Sequence, residues 1–233
     1  MKVLGMDTSG YANAVGVTDG GRVLADYSFE ARNDSLQRIL ADIDFVLKSA
    51  GQTLEDIDGL GVGLGPGSWT GIRVGVTVDK MLALATGKPV AGVSTLEALA
   101  AGAADYGENV CAVVDAGARG LVYAACYRVG DGGIVRDGEY YVGEPSGLAA
   151  ILAGTVTLAA ENAARQLERL TPYLDGVAVK VTAAEVTPSG AVIARLAGEQ
   201  LVRGQGDDAL SLTPLYLKES TAKVFRNKYL GRS

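Results

Sequence analysis

Two stretches of this chain run the same course, and that repetition limits the fold more than any single motif does. Residues 2–6 form an apolar run that ends in Asp7, passes through Thr8, Ser9 and Gly10, and continues into a second apolar run over 12–18. Residues 109–114 repeat the pattern, with an acid at Asp115, the small residues Ala116, Gly117 and Ala118, then Arg119 and Gly120, and an alternating run over 121–128. A third strand-like run follows each time, over 22–29 after the turn Asp19, Gly20, Gly21, and over 134–142. Glycine-bearing turns between alternating apolar runs predict hairpins, so each half is expected to open as an antiparallel meander of three strands. Self-similarity on this scale marks an internal duplication; the boundary falls near Gly107, dividing 1–106 from 107–233.

Helical spacing fills the space between strands. In the first half Leu36, Ile39, Leu40, Ile43, Leu47 and Ala50 recur on one side of a helix that Gly51 stops. A buried strand over 57–64, a helix over 70–85, a strand over 90–93 and a helix from Ser94 to about residue 106 follow, with Ser94 and Glu97 spaced as a capping box. The second half predicts helices near 146–153, 163–170 and 188–203, and short strands near 156–159 and 177–179. The class is α/β.

Residues 65–81, GPGSWTGIRVGVTVDKM, connect the first half's central strand to its helix. A turn bearing Gly65, Pro66 and Gly67 offers Ser68 or Thr70 as N-cap. Such a turn can hold an anion, but the Lys and hydroxyl of a P-loop are missing, since Ile72 and Arg73 follow Gly71. Ile72, Val74, Val76, Val78, Met81, Leu82 and Leu84 make the helix apolar nearly all round, so it must be covered nearly all round. Gly71 and Gly75 stand four apart on one face and admit a close neighbour. Because one domain face can cover only part of such a helix, a patch including Arg73, Val74, Gly75, Thr77, Val78 and Met81, together with Leu36, Ile39, Leu40 and Ile43 of the preceding helix, is expected to meet another chain.

Composition narrows the chemistry. The sequence contains no histidine, which excludes Ser/His/Asp and Cys/His nucleophile pairs, HExxH zinc sites and an imidazole proton shuttle. Catalysis would rest on Asp, Glu, Lys, Tyr, Cys or a metal held by oxygen ligands. The net charge of −6 argues against broad nucleic-acid binding by this chain alone. The tail from Lys218, with Lys223, Arg226, Lys228 and Arg232 against Glu219, is a local exception. Cys111 and Cys126 lie in strand-like runs without ligand spacing and are expected as buried free thiols. No apolar run reaches the roughly 18 residues of a membrane span, and Met1 leads straight into a strand without a signal-peptide pattern. No membrane association and a cytoplasmic location are therefore expected.

Two halves with Asp-ended first strands resemble the actin, hexokinase and Hsp70 ATPase superfold (ASKHA), here two-lobed with a shortened second lobe. That superfold holds nucleotide phosphates between its two hairpins, which makes Asp7, Thr8, Ser9, Gly10 and Asp115 a candidate, vestigial nucleotide site. The segment Ala159, Ala160, Glu161, Asn162 stands where a GxG-like element is expected. An ATP-dependent small-molecule kinase or hydrolase, with Asp7 or Asp115 holding hydrated magnesium, is the alternative this fold suggests.

More specifically, MDTSG, GPGSWTGIRVG, VSTLEALA, DAGARGLVYAACY and PLYLK occur in an order that resembles the TsaB (YeaZ) family along the whole length. Trp69 stands where that family usually has Phe, Leu121 where it often has Glu, and Ser35, Leu36 and Ala41 where it often has His, Ser or Thr, and Pro. The resemblance implies a non-catalytic scaffold or activator of the TsaD threonylcarbamoyl transferase, acting in formation of N6-threonylcarbamoyladenosine in ANN-decoding tRNAs. It implies a heterodimer with a TsaD homologue, a homodimer when alone, a TsaE-type ATPase as a further partner and tRNA contact only within the complex. No cofactor or metal is expected in this chain, although a nucleotide at the TsaD interface is compatible with it. TsaD's metal site uses histidine, which this chain lacks.

Overall fold

A computed structural model describes residues 1–30, 35–117, 120–130, 133–174 and 179–217, without the side chains of residues 30 and 35–37. The expectations for the Leu36 side chain, for Arg119 and for the basic tail lie outside these residues.

The first sheet begins with β1 (Lys2–Asp7), β2 (Ala12–Asp19) and β3 (Arg22–Glu30), an antiparallel meander that turns at Gly20 and Gly21. After α1 (Ser35–Ser49), β4 (Gly59–Gly63) pairs parallel to β1. Helix α2 (Trp69–Thr86) then leads to β5 (Val90–Val93), parallel to β4. The order is β3-β2-β1-β4-β5. After α3 (Thr95–Gly102), the second sheet repeats this plan. Strands β6 (Asn109–Asp115), β7 (Val122–Gly130) and β8 (Gly133–Gly143) form the meander. After α4 (Pro145–Ala149), β9 (Gly154–Ala160) joins parallel to β6; after α5 (Ala163–Leu170), β10 (Val179–Glu185) joins parallel to β9. The order β10-β9-β6-β7-β8 is the first sheet's order read from the other edge. Sequence similarity between the halves thus corresponds to one topology used twice.

Helices α1 and α2 cover the outer face of the first sheet through Ile39, Ile43, Val46, Ile72 and Val76 over Met6, Val15 and Leu60. Helices α4 and α5 cover the second through Leu148, Ala149 and Leu170 over Cys111, Val113 and Leu158. The layer between the sheets is exchanged. Helix α3, continuous in sequence with the first half, packs Leu96, Leu99 and Ala103 on Val110, Ala112 and Tyr127 of the second sheet. Helix α6 (Gly190–Val202) returns to the first sheet, setting Ile193, Ala194 and Ala197 against Val3, Ala91 and Val93. This approach is close because Gly5 and Gly16 lack side chains; a Cβ on either would run into the backbone at Ala194 or Ala191. The C-terminal helix thus packs on the first sheet.

Local boundaries differ for physical reasons. Ser94 makes no side-chain cap on α3, whose helix ends at Gly102 and passes into a short 3-10 turn, Ala104–Tyr106. The capping box does not form; Glu97 is half-buried instead, and burial raises its carboxyl above the ordinary range. The last strand runs over Val179–Glu185, longer than the expected run at 177–179, of which residues 177 and 178 lie outside the described residues. Among the described residues, no helix is long and apolar enough to cross a membrane.

Candidate functional site: closed strand ends and an uncovered helix face

Asp7 closes β1 and is fully buried. Its Oδ1 accepts a hydrogen bond from the Ser9 amide at 2.7 Å, and Oδ2 accepts one from Thr95 Oγ1 at 2.7 Å. Burial raises the carboxyl from its ordinary value, against these hydrogen bonds. Gly63 lies alongside because it has no Cβ, which would strike the carboxylate. Thr8 and Ser9 are turned toward the start of α2. Thr8 Oγ1 donates to the Gly71 carbonyl at 2.7 Å, and the Ser9 carbonyl accepts from the Ser68 amide at 2.8 Å. Ser68 caps α2 by accepting from the Gly71 amide at 3.2 Å, so Ser68 rather than Thr70 is the N-cap. The MDTSG segment thus serves as a mount for GPGSWTG.

Gly10 and Tyr11, the next residues of this turn, meet a carboxylate from the other sheet's side. Glu161, just past β9, accepts from the Tyr11 amide at 3.3 and 3.4 Å, and its Oε1 lies where a Cβ on Gly10 would need space. Burial raises the Glu161 carboxyl.

Asp115, at the end of β6, is half-exposed and equally engaged. Helix α5 and its N-cap supply Arg169 Nη1 at 2.7 Å and Gln166 Nε2 at 3.0 Å to Oδ1, and Asn162 Nδ2 at 3.3 Å to Oδ2. Arg169 also donates to the Gly120 carbonyl across the hairpin turn. Burial pushes the Asp115 carboxyl up, but the hydrogen bonds from Gln166, Asn162 and Arg169, with the Arg169 charge, hold it below the ordinary range. Both acids are internal connectors here. The fully buried, doubly bonded Asp7 does not fit a carboxylate that ligates hydrated magnesium.

The residues expected to form a patch separate into two groups. Ile39, Ile43, Val74 and Gly75 lie inside this chain, with Val74 only 6% exposed, and Val78 is half-buried against the same core. Gly75 admits the Thr8 hydroxyl and Gly71 the Thr8 carbonyl, so the small-residue face of α2 receives a loop of its own domain and not a foreign helix. Leu40, Arg73, Thr77 and Met81 are exposed, Leu40 at 60% and Met81 at 63%. Trp69 and Leu84 join them at 49% and 53%. Positions 69, 73, 77, 81 and 84 follow helical spacing and form one stripe.

The N-terminal end of that stripe is braced by the last described segment. The Trp69 and Tyr216 rings lie 4.8 Å apart, the Arg73 guanidinium sits 3.9 Å above the Trp69 ring, and Arg73 Nε donates to Tyr216 Oη at 3.1 Å. Lys80 Nζ donates to the Leu210 and Leu212 carbonyls at 3.0 and 2.9 Å. On the core side of α2 stands Asp79, buried, with neither oxygen partnered among the described residues. Burial without compensation pushes its pKa up to about 8.

Sequence reading missed Thr95, Gln166, Arg169 and Tyr216 as site residues. Each lies far in sequence from the residues it meets: Thr95, Gln166 and Arg169 follow strands of the two sheets, and Tyr216 lies in the segment after α6. Trp69 and Leu84 carried a usable signal, the four-residue spacing from Arg73, Thr77 and Met81.

Twin sheets of matching order, with each first strand ending in an acid at the junction, define the two-lobed actin/hexokinase/Hsp70 class. A ROK hexokinase from Thermus thermophilus shares the architecture at a TM-score of 0.52 and 16% identity over 87% of this chain and all of that one, a likeness of fold alone. Within the class, the model of the family described as TsaD, tRNA N6-adenosine threonylcarbamoyltransferase, matches residues 29–203, and the chain belongs to that family as a TsaB/YeaZ-type member. YeaZ from Pseudomonas aeruginosa superposes with a TM-score of 0.81 at 28% identity, over 93% of this chain and 99% of that chain. The Escherichia coli tRNA threonylcarbamoyladenosine biosynthesis protein TsaB is 38% identical over 136 residues. That match spans 58% of this chain and 58% of the E. coli protein, little more than half of either.

Proposed function

We propose that this chain is a non-catalytic scaffold that activates a TsaD-type threonylcarbamoyl transferase in forming N6-threonylcarbamoyladenosine in ANN-decoding tRNAs. The observation that carries the reading is the occupation of both strand ends. Where the superfold leaves backbone amides and an acid open for nucleotide phosphates, this chain places Glu161 on the Tyr11 amide and the α5 side chains on Asp115, and encloses Asp7. A carboxylate at that amide repels a phosphate. The absence of histidine supports a partner role over a metal-bearing transferase role.

The stripe from Trp69 to Leu84 with Leu40 supplies the apolar surface a partner would cover. A TsaD homologue and a second copy of this chain compete for it; a TsaE-type ATPase and tRNA join through the complex. Isothermal titration with Mg-ATP separates this reading from a kinase or hydrolase. The expected result is no heat of binding from the isolated chain. Low-micromolar binding with slow turnover would remove the scaffold reading.

A further inference from the structure

Two thiols face each other across neighbouring strands of the second sheet. Cys111 on β6 and Cys126 on β7 are direct register partners, so their side chains project from the same face. The pairs Ala116/Leu121 and Glu108/Val129 carry ladder hydrogen bonds, through the Ala116 amide to Leu121 and the Val129 amide to Glu108. Antiparallel pairs alternate between hydrogen-bonded and non-hydrogen-bonded. Counting inward from either end makes Cys111/Cys126 a non-hydrogen-bonded pair. Its Cα atoms stand about 4.5 Å apart in such a pair, within the span a disulfide bridges.

The two environments differ. Cys111 is buried among Val113, Leu148 and Leu158, whereas Cys126 is only half-buried at the margin of that cluster. Across β7, Asp137 is the register partner of Cys126, and its carboxylate is held by Arg128 Nε at 3.2 Å. We propose that Cys111 and Cys126 form a modification site, at which hydrogen peroxide closes a cross-strand disulfide between β6 and β7. The proximity of the thiols favours this division of labour: each thiol shifts the other, with Cys126 lowered by the Cys111 hydrogen bond and Cys111 raised. The more accessible Cys126 is the attacking thiolate and Cys111 the resolving thiol.

In the first step the Cys126 sulfur attacks one peroxide oxygen. The O–O bond breaks, hydroxide leaves and takes a proton, and Cys126 becomes a sulfenic acid. In the second step the Cys111 sulfur attacks Cys126 Sγ. The S–S bond forms, the S–O bond breaks, and the departing oxygen leaves as water with the Cys111 proton. Two thiols are oxidised, one peroxide is reduced, and two waters are released. The bond ties the strand that ends in Asp115 to its neighbour, and a dithiol reductant reverses it.

The reduced full chain, treated with hydrogen peroxide, then unfolded and alkylated with iodoacetamide, reads this out by intact mass and peptide mapping. The expected result is loss of both alkylatable thiols and a peptide joining residues 111 and 126 within one chain, with both thiols restored by dithiothreitol. Cys111→Ser should stop at a sulfenic acid on Cys126 that dimedone captures, and Cys126→Ser should leave Cys111 alkylatable. Two thiols still alkylatable in the wild-type chain, a sulfinic acid at Cys126 without the joined peptide, or a link only between chains would each overturn the proposal. The wild-type map decides the question even if a serine variant fails to fold.

Discussion

Asp79 is a buried carboxyl with neither oxygen partnered among the described residues, and its effect on stability has a definite sign. The native state raises its pKa from 3.8 to about 8, so the folded chain binds more protons than the unfolded chain between those values. Stability attributable to this group therefore falls as pH rises through that window and levels off above it. Asp79→Asn removes the ionisation: the variant's advantage over wild type in thermal unfolding should grow from pH 4 toward pH 8 and then stay constant. A pH-independent difference would contradict the assignment. Asp115 has the opposite sign. Its carboxyl lies below the ordinary range, so its contribution is present at neutral pH and is lost as pH falls through its folded value. Arg169→Met should cost about 1 to 2 kcal/mol at neutral pH and much less once Asp115 is protonated, as denaturant unfolding at the two pH values would show. At Asp7, Thr95→Val removes one partner of a buried carboxylate, which costs about 1 to 3 kcal/mol.

Helix α2 shows what a sequence can and cannot carry at the scale of an element. Its extent and a cap at Ser68 or Thr70 were legible from spacing and residue type, and the structure decides for Ser68 and leaves one stripe of the helix uncovered. Which side was covered by what was not, because that depends on the placement of Thr8, a residue sixty-three positions from Gly71. By spacing alone the glycines suit a neighbouring helix, and the hydrogen bond from Thr8 shows that a loop of the same domain lies there instead. The paired variants that test the stripe follow from this division. Met81→Asp, on the exposed side, should change unfolding free energy by no more than about 0.5 kcal/mol while abolishing capture by a TsaD homologue. Val74→Asp, facing the core, should unfold the chain outright, since it buries an unpaired charge. A folded Met81→Asp that still binds TsaD normally would remove this stripe from the interface. Helix α3 teaches the same lesson from the other side. Ser94 and Glu97 had the right spacing for a capping box, but the first turn of α3 is packed at the sheet junction, and Thr95 is drawn to Asp7.

At the scale of the whole molecule, the duplicated topology was legible because each half repeats both a pattern of residue types and an order of elements. The exchange of α3 and α6 between sheets was not, since an apolar helix face does not name the sheet it will cover. Pairing of β5 beside β4 and β1 brings Thr95 to Asp7, and Glu161, just past β9, reaches the Tyr11 amide. The proposed scaffold role puts the activity in a complex with a TsaD homologue. The measurement that tests it most directly is the N6-threonylcarbamoyladenosine content of tRNA after reconstitution with the same organism's TsaD and the other components of the reaction, with the wild-type chain, with Met81→Asp, and with no chain added. Modification is expected only with the wild-type chain. Full modification by TsaD without this chain would contradict it.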